Sequence, residues 1–259
     1  MPEYSLRILK MGQVDVPAPE VYWMSHWFEW ETLYFYMVVI QGEGITAIIN
    51  TGPPADLGEL NKLWRAFAGE RCQMLRNEGE SPVEALSSIG LKAKDIQYIL
   101  LTPLVCYADA NVALFPNVKK VFISRKGWIE DFFAPPIPTH LPPKIFMPDS
   151  VVIYLTTEIF DRLHLVDQEE EVLPGIKMFW AGVHHRSSMA ISVPTKNGRV
   201  IISDCFFKYG NIEKDIILGV TESIEECRRS YARIRHEADF TIPLYDPEVL
   251  QRFPRGVIG

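Results

Sequence analysis

Apolar and polar residues alternate over residues 4–11, the period of a half-buried strand. A second such pattern covers residues 33–40, and Gly42-Glu43-Gly44 turns it into Ile45–Ile49, so the two runs read as a hairpin. Over residues 56–67 the period becomes helical, with Leu57, Leu60, Leu63 and Trp64 on one face. Ser81-Pro82-Val83-Glu84 combines an N-cap serine, a proline at the first helical position and an acid at the third. It predicts a helix that ends near Gly90. Residues 96–101 form a short apolar run of the buried-strand kind, and Lys120–Ser124 follows the Phe115-Pro116-Asn117 turn as another strand.

The C-terminal half returns to strands at residues 172–181, 189–193 and 199–203, the last two joined across Lys196-Asn197-Gly198. Residues 223–236 predict a long charged amphipathic helix, Phe240–Pro243 a strand, and Asp246-Pro247-Glu248 the cap of a short final helix. Residues 134–148 hold six prolines and read as an irregular loop or lid. Two β-rich halves, each followed by helices, suit an α/β fold. The expectation is one domain over residues 1–259, an αββα sandwich with two mixed sheets face to face and helices outside.

Composition changes this picture little: 47% hydrophobic and 23% charged residues describe a globular chain with material for a sizeable core. Charge excludes more. With 26 Lys+Arg against 33 Asp+Glu the net charge is −7, which argues against nucleic acid or an anionic membrane as partner, since both call for a dense positive footprint. No apolar run approaches the roughly 20 residues that span a bilayer. Met1-Pro2-Glu3-Tyr4-Ser5-Leu6-Arg7 also lacks the layout of a signal peptide. Cys72, Cys106, Cys205 and Cys227 stand far apart without a CxxC pair and read as free thiols of a reducing compartment. The expectation is a cytoplasmic protein with a small-molecule substrate.

The order of motifs resembles the metallo-β-lactamase superfamily, and within it the N-acyl-homoserine-lactonase-like hydrolases, over most of the chain from about Leu33 to Val257. Ile45-Thr46-Ala47-Ile48-Ile49-Asn50-Thr51-Gly52 is similar to the family's early hairpin ending in Asp-Thr-Gly, with Asn50 for Asp. The segment from Ile89 to Thr102 looks like the one that delivers the metal-binding loop, and Asn111-Val112-Ala113-Leu114-Phe115-Pro116 resembles the stretch just past that loop. Gly182-Val183-His184-His185-Arg186-Ser187-Ser188 resembles the Gly-His-Thr-Pro-Gly-Ser stretch, Ser203-Asp204 the Gly-Asp pair, and Pro243-Leu244-Tyr245-Asp246-Pro247 the closing Pro-Gly-His-Asp-Pro.

The resemblance implies a hydrolase acting on a small cyclic ester or amide by water attack on a carbonyl. It also implies a change at the metals. The family builds a two-metal site from His-x-His-x-Asp-His, the Gly-His histidine, a bridging aspartate and a last histidine. Here Pro103 and Val105 fall at two histidine positions, Tyr107 at the aspartate, Ala108 at the next histidine and Tyr245 at the last; His184 and Asp204 alone match. Pro, Val and Ala side chains donate nothing to a metal, whereas a catalytic zinc takes about three protein ligands. The paired site is therefore expected to be lost or reduced to one divalent ion (zinc, manganese or iron) held by His184 and Asp204. A third ligand would come from His185, Tyr107, Cys106 or Tyr245, with His185 the weak choice because neighbours on an extended segment point to opposite sides.

Without a metal, Asp204 would orient His184, and the imidazole would activate water as a general base. Tyr107 and Tyr245, with Thr102 or Ser187, would donate to an oxyanion, and the planar guanidinium of Arg186 would bind a substrate carboxylate. The catalytic candidates are thus His184, Asp204, Tyr107, Tyr245 and His185; Thr102, Cys106, Arg186 and Trp27 are the substrate-binding ones. Equally, the two tyrosines fill volume vacated by ions, and the chain is a non-catalytic small-molecule-binding protein. A metal-free lyase or isomerase using His184 for proton transfer is a third option. Cys106 reads either as a reactive thiol or as a small buried hydrophobe. The aromatic stretch Tyr22-Trp23-Met24-Ser25-His26-Trp27-Phe28-Glu29-Trp30 lines an apolar pocket, packs a sandwich edge, or joins two copies in a homodimer.

Overall fold

A computed structural model describes residues 2–133 and 147–259. The proline-rich loop expected at residues 134–148 therefore lies, as far as residue 146, outside the described residues. Two mixed sheets form the body. The first is seven-stranded and contains β1 (Ser5–Pro17), β2 (Trp30–Gly42), β3 (Ile45–Ile49), β4 (Tyr98–Leu100), β5 (Lys120–Ser124), β6 (Leu163–Val166) and β12 (Val257–Ile258). The second is five-stranded, from β7 (Glu169–Leu173), β8 (Ile176–Trp180), β9 (Met189–Thr195), β10 (Gly198–Ser203) and β11 (Phe240–Pro243). Their spatial orders are β12-β1-β2-β3-β4-β5-β6 and β11-β10-β9-β8-β7. The two-sheet α/β fold expected from the sequence is the one observed.

Central strands are apolar on both faces because both faces are covered. Met37, Val38, Val39 and Ile40 of β2 and Val200, Ile201 and Ile202 of β10 are wholly buried, and one continuous apolar core takes in residues of both sheets. The outer cover is amphipathic. In the Ile224–Glu237 helix the buried positions are Cys227, Tyr231 and Ile234, one stripe at helical spacing, and the Ser223 hydroxyl accepts from the Glu226 N–H at the N-terminus. The Pro82–Ser88 helix begins as its sequence predicts, with Ser81 accepting from the Glu84 N–H.

Two expectations need correction, and two strands have no signal in the sequence. The run at residues 172–181 is two strands, because Pro174-Gly175 breaks it and Gly175 takes a φ of 71° that an L-residue resists. β1 extends well past residue 11. Its register against β2 shifts between Lys10 and Gly12, and this bulge interrupts the alternation before Val14 and Val16 resume it. The short strands β6 and β12 carry too few residues to show a period and are held by their neighbours β5 and β1.

Candidate active site

The candidate residues sit where strands of both sheets end. β4 runs into Thr102, β8 into the Gly182–Ser188 turn, β10 into Asp204 and β11 into Tyr245. Asn50, just after β3 and at a φ of 61°, fixes the first of these. Its amide accepts from the Thr102 N–H at 2.9 Å and donates to the Thr102 carbonyl at 2.7 Å. An ionised aspartate would lack the second interaction, since it only accepts. Thr102 in turn links the sheets: its hydroxyl accepts from the Met189 N–H at 2.8 Å and donates to Asp204 Oδ1 at 2.5 Å.

Asp204 is wholly buried and fully engaged. Besides Thr102, it accepts from the Ser188 hydroxyl, and its Oδ2 lies 3.2 Å from His184 Nδ1. Burial raises its carboxyl from 3.8 to about 6, held back by the Ser188 and Thr102 hydroxyls. Burial also pushes His184 down to about 3. At neutral pH the pair is therefore a carboxylate and a neutral imidazole. With Nδ1 facing the carboxylate, the proton belongs on Nδ1, and Nε2 is left as an acceptor.

The turn that carries the histidines is tightly made. His184 N–H donates to the Gly182 carbonyl at 3.0 Å around Val183, whose φ is 75°. This is a γ-turn with a β-branched residue in a costly conformation, of order 1–3 kcal/mol. The segment is not extended, and the rings of His184 and His185 lie 4.0 Å apart instead of on opposite sides. Further on, the Ser187 N–H donates to Asp131 Oδ2 at 3.0 Å. That approach depends on Gly127: a Cβ there would stand 2.2 Å from Ser187 Cα.

Aromatic rings surround the imidazole. Phe207 is 4.6 Å from His184 and edge-on, Tyr245 is 4.8 Å from Phe207, and Tyr107 and Tyr245 are 6.2 Å apart. Phe35 contacts both tyrosines at 5.0 and 5.4 Å. Burial raises both phenols well above their ordinary range, so both stay protonated, and the two hydroxyls face each other in the buried cluster.

Other candidates are placed differently. Arg186 is engaged internally, paired with Glu222 and with Glu226 at 2.7 Å, so its guanidinium is not offered to a substrate carboxylate. Cys106 is buried, and burial with Asp109 nearby pushes its thiol up, the setting of a neutral thiol. All four cysteines are free and buried. Trp27 lies outside the ring cluster and is 58% exposed. Two groups escaped the sequence reading. Asp109 is fully buried, neither carboxyl oxygen has a hydrogen-bond partner among the described residues, and burial raises it well above the usual carboxylate range. Asp131, His185 and Glu222 bring one potential ligand atom each within 4.8 Å of one another. His185 is a candidate from the sequence, but its grouping with Asp131 and Glu222 has no local signature, because the three lie far apart in sequence.

Comparison with solved structures places this fold. The chain superposes on an N-acyl homoserine lactone hydrolase, solved with the product N-hexanoyl-L-homoserine at its catalytic metal centre, with a TM-score of 0.78 and 16% identity, covering 98% of this chain and 99% of that one. A probable metal-dependent hydrolase from Staphylococcus aureus gives 0.72 at 18% identity, covering 94% and 90%. A dizinc quorum-quenching lactonase in complex with a product gives 0.62 at 16%, covering 98% and 90%. At these identities the likeness shows a shared fold: the two-sheet α/β architecture expected from the sequence is the one these hydrolases have. No family model matches the chain, and no curated protein does. Among the described residues no helix is long and apolar enough to cross a membrane.

Proposed function

We propose that this chain hydrolyses a small cyclic ester or amide, using His184 and Asp204 as an acid–base pair in place of two metal ions. The observation that supports the reading is the buried His184–Asp204 contact at 3.2 Å, with the carboxylate also held by Thr102 and Ser188.

The donor set argues against a paired-ion centre at this position. Both Asp204 oxygens already accept from hydroxyls. Among the described residues, no third His, Cys, Asp or Glu joins His184 and Asp204 with a ligand atom within 4.8 Å, so neither Cys106 nor His185 completes a site with them. Phenols with raised pKa values are poor ligands, because the coordinating form is the phenolate.

In this reading Asp204 holds the His184 proton on Nδ1, and Nε2 takes a proton from water as it attacks the carbonyl carbon. Charge then develops on the carbonyl oxygen, where a protonated phenol of Tyr107 or Tyr245 donates. The same imidazole returns its proton to the leaving oxygen or nitrogen. Burial puts His184 near 3, below the pH at which a general base works best, so the role depends on the Asp204 carboxylate stabilising the transient imidazolium.

A panel of lactones and cyclic amides, followed by product formation with wild type and Asp204→Asn, tests the proposal. Ring opening that falls about 10²–10⁴-fold in the variant supports it. The ring cluster of Phe35, Tyr107, Tyr245 and Phe207 favours one alternative, a non-catalytic binding protein. Binding without turnover, unchanged in Asp204→Asn, would establish that alternative.

A further inference from the structure

We infer that Asp131, His185 and Glu222 form a binding site for one divalent first-row transition ion, beside the His184–Asp204 pair and separate from it. Three segments converge there. Asp131 comes from the π-helical turn Trp128–Phe133, His185 from the turn after β8, and Glu222 from the residue before the Ser223 cap of the Ile224–Glu237 helix.

Their ligand atoms lie within 4.8 Å of one another. Around one ion with bonds of about 2.0–2.1 Å, neighbouring ligands of a tetrahedron stand about 3.4 Å apart. The group therefore closes on an ion by side-chain adjustment of little more than an ångström. Two carboxylates and one imidazole form the oxygen-and-nitrogen set that suits zinc, manganese, iron or cobalt and disfavours soft ions.

Each ligand is also oriented from behind. The Ser187 N–H holds Asp131 Oδ2 at 3.0 Å, and the Ser187 hydroxyl and the Arg186 N–H also bond this carboxyl, so the carboxyl is oriented before any ion arrives. Arg186 pairs with Oε2 of Glu222, leaving Oε1, and the Glu222 N–H is anchored on the Val183 carbonyl at 2.7 Å. The backbone of His185 is fixed by its N–H on the Ser188 hydroxyl at 3.1 Å. Outer contacts of this kind set the direction of first ligands. Arg186 is shared between Glu222 and Glu226, and Lys126 and Arg229 also act on Glu226. A bound cation would favour the ionised forms of Asp131 and Glu222, which burial raises to about 6 and about 7, and would pin the three segments together.

Protein stripped with chelator is titrated with Co²⁺ and separately with Zn²⁺, read by absorption, equilibrium dialysis and thermal melting. The expected result is one ion per chain, d–d bands in the cobalt form and a melting temperature raised in proportion to saturation. His185→Ala and Glu222→Gln each weaken binding at least tenfold with native circular dichroism, and His184→Ala leaves it within about twofold. Three results would overturn the inference: no ion bound by folded protein, binding indifferent to both His185→Ala and Glu222→Gln, or binding abolished by His184→Ala. Glu222 is exposed, so its variant keeps the test decisive if His185→Ala fails to fold. None of these readouts needs turnover, so a failure of the hydrolase reading leaves this site standing, and the reverse also holds.

Discussion

Thr102→Val replaces a hydroxyl by a methyl of nearly the same shape at a wholly buried position. Two interactions vanish together. The Met189 N–H loses its acceptor at 2.8 Å, and Asp204 Oδ1 loses its donor at 2.5 Å. Leaving a buried N–H unsatisfied costs about 1–3 kcal/mol, and a hydrogen bond to a charged group contributes about 1.5–3 kcal/mol. The expected destabilisation at pH 7.5 is therefore about 3–5 kcal/mol. Thr102→Ser keeps both interactions and loses one methyl, a cost of about 0.8 kcal/mol. The difference has a pH signature. Asp204 is raised to about 6, so below that pH the native carboxyl is neutral and the missing donor matters less. Denaturant unfolding of wild type and both variants at pH 5 and pH 7.5 measures this directly. A valine variant within about 1 kcal/mol of the serine variant at pH 7.5, or equally destabilised at both pH values, would refute the role given to Thr102.

Three further outcomes rest on the same geometry. If Asp204 must be ionised to support His184, kcat/KM for ring opening rises with pH through about 6 and then levels, since the imidazole is already neutral above about 3; a limb near 8 would contradict this. Burial raises Glu20 from 4.5 to about 7. Because its folded pKa lies above its unfolded one, the stability it contributes at low pH is lost as pH rises from about 4.5 to 7. Glu20→Gln should therefore stabilise the protein by about 1–2 kcal/mol at pH 8, allowing for partial exposure, and by almost nothing at pH 4.5; equal effects at both would be contrary evidence. Gly127→Ala forces a Cβ within 2.2 Å of Ser187 Cα, so it should cost about 3 kcal/mol or more in unfolding experiments; an effect under about 0.5 kcal/mol would mean that the two backbones do not approach as described.

Much of the scaffold was legible because local signals and global pairing agree. β5, β11 and the hairpin of β9 and β10 carry clear runs bounded by turn residues, and Ser81 and Ser223 announce their helices. Legibility failed where tertiary context overrides period: at the bulge near Met11, at Pro174-Gly175, and in the short strands β6 and β12. At the site, motif order singled out His184 and Asp204, and the structure holds them 3.2 Å apart. What it could not give was the supporting set. Asn50 clamping Thr102, Ser188 bonding Asp204, Glu222 and Glu226 claiming Arg186, and Asp131 meeting Ser187 all join residues from distant parts of the chain. No spacing along one segment encodes such meetings.

The central claim is that an imidazole and a carboxylate, without an ion pair between them, perform ring opening. Its most direct test is the steady-state rate on a lactone substrate with protein stripped by chelator and verified metal-free, beside the same measurement on His184→Ala. The account predicts that stripping leaves kcat within about twofold, whereas His184→Ala lowers it by about 10²-fold or more, a loss of about 2.7 kcal/mol in transition-state stabilisation. A rate abolished by stripping and restored only when two ions per chain are bound would contradict it.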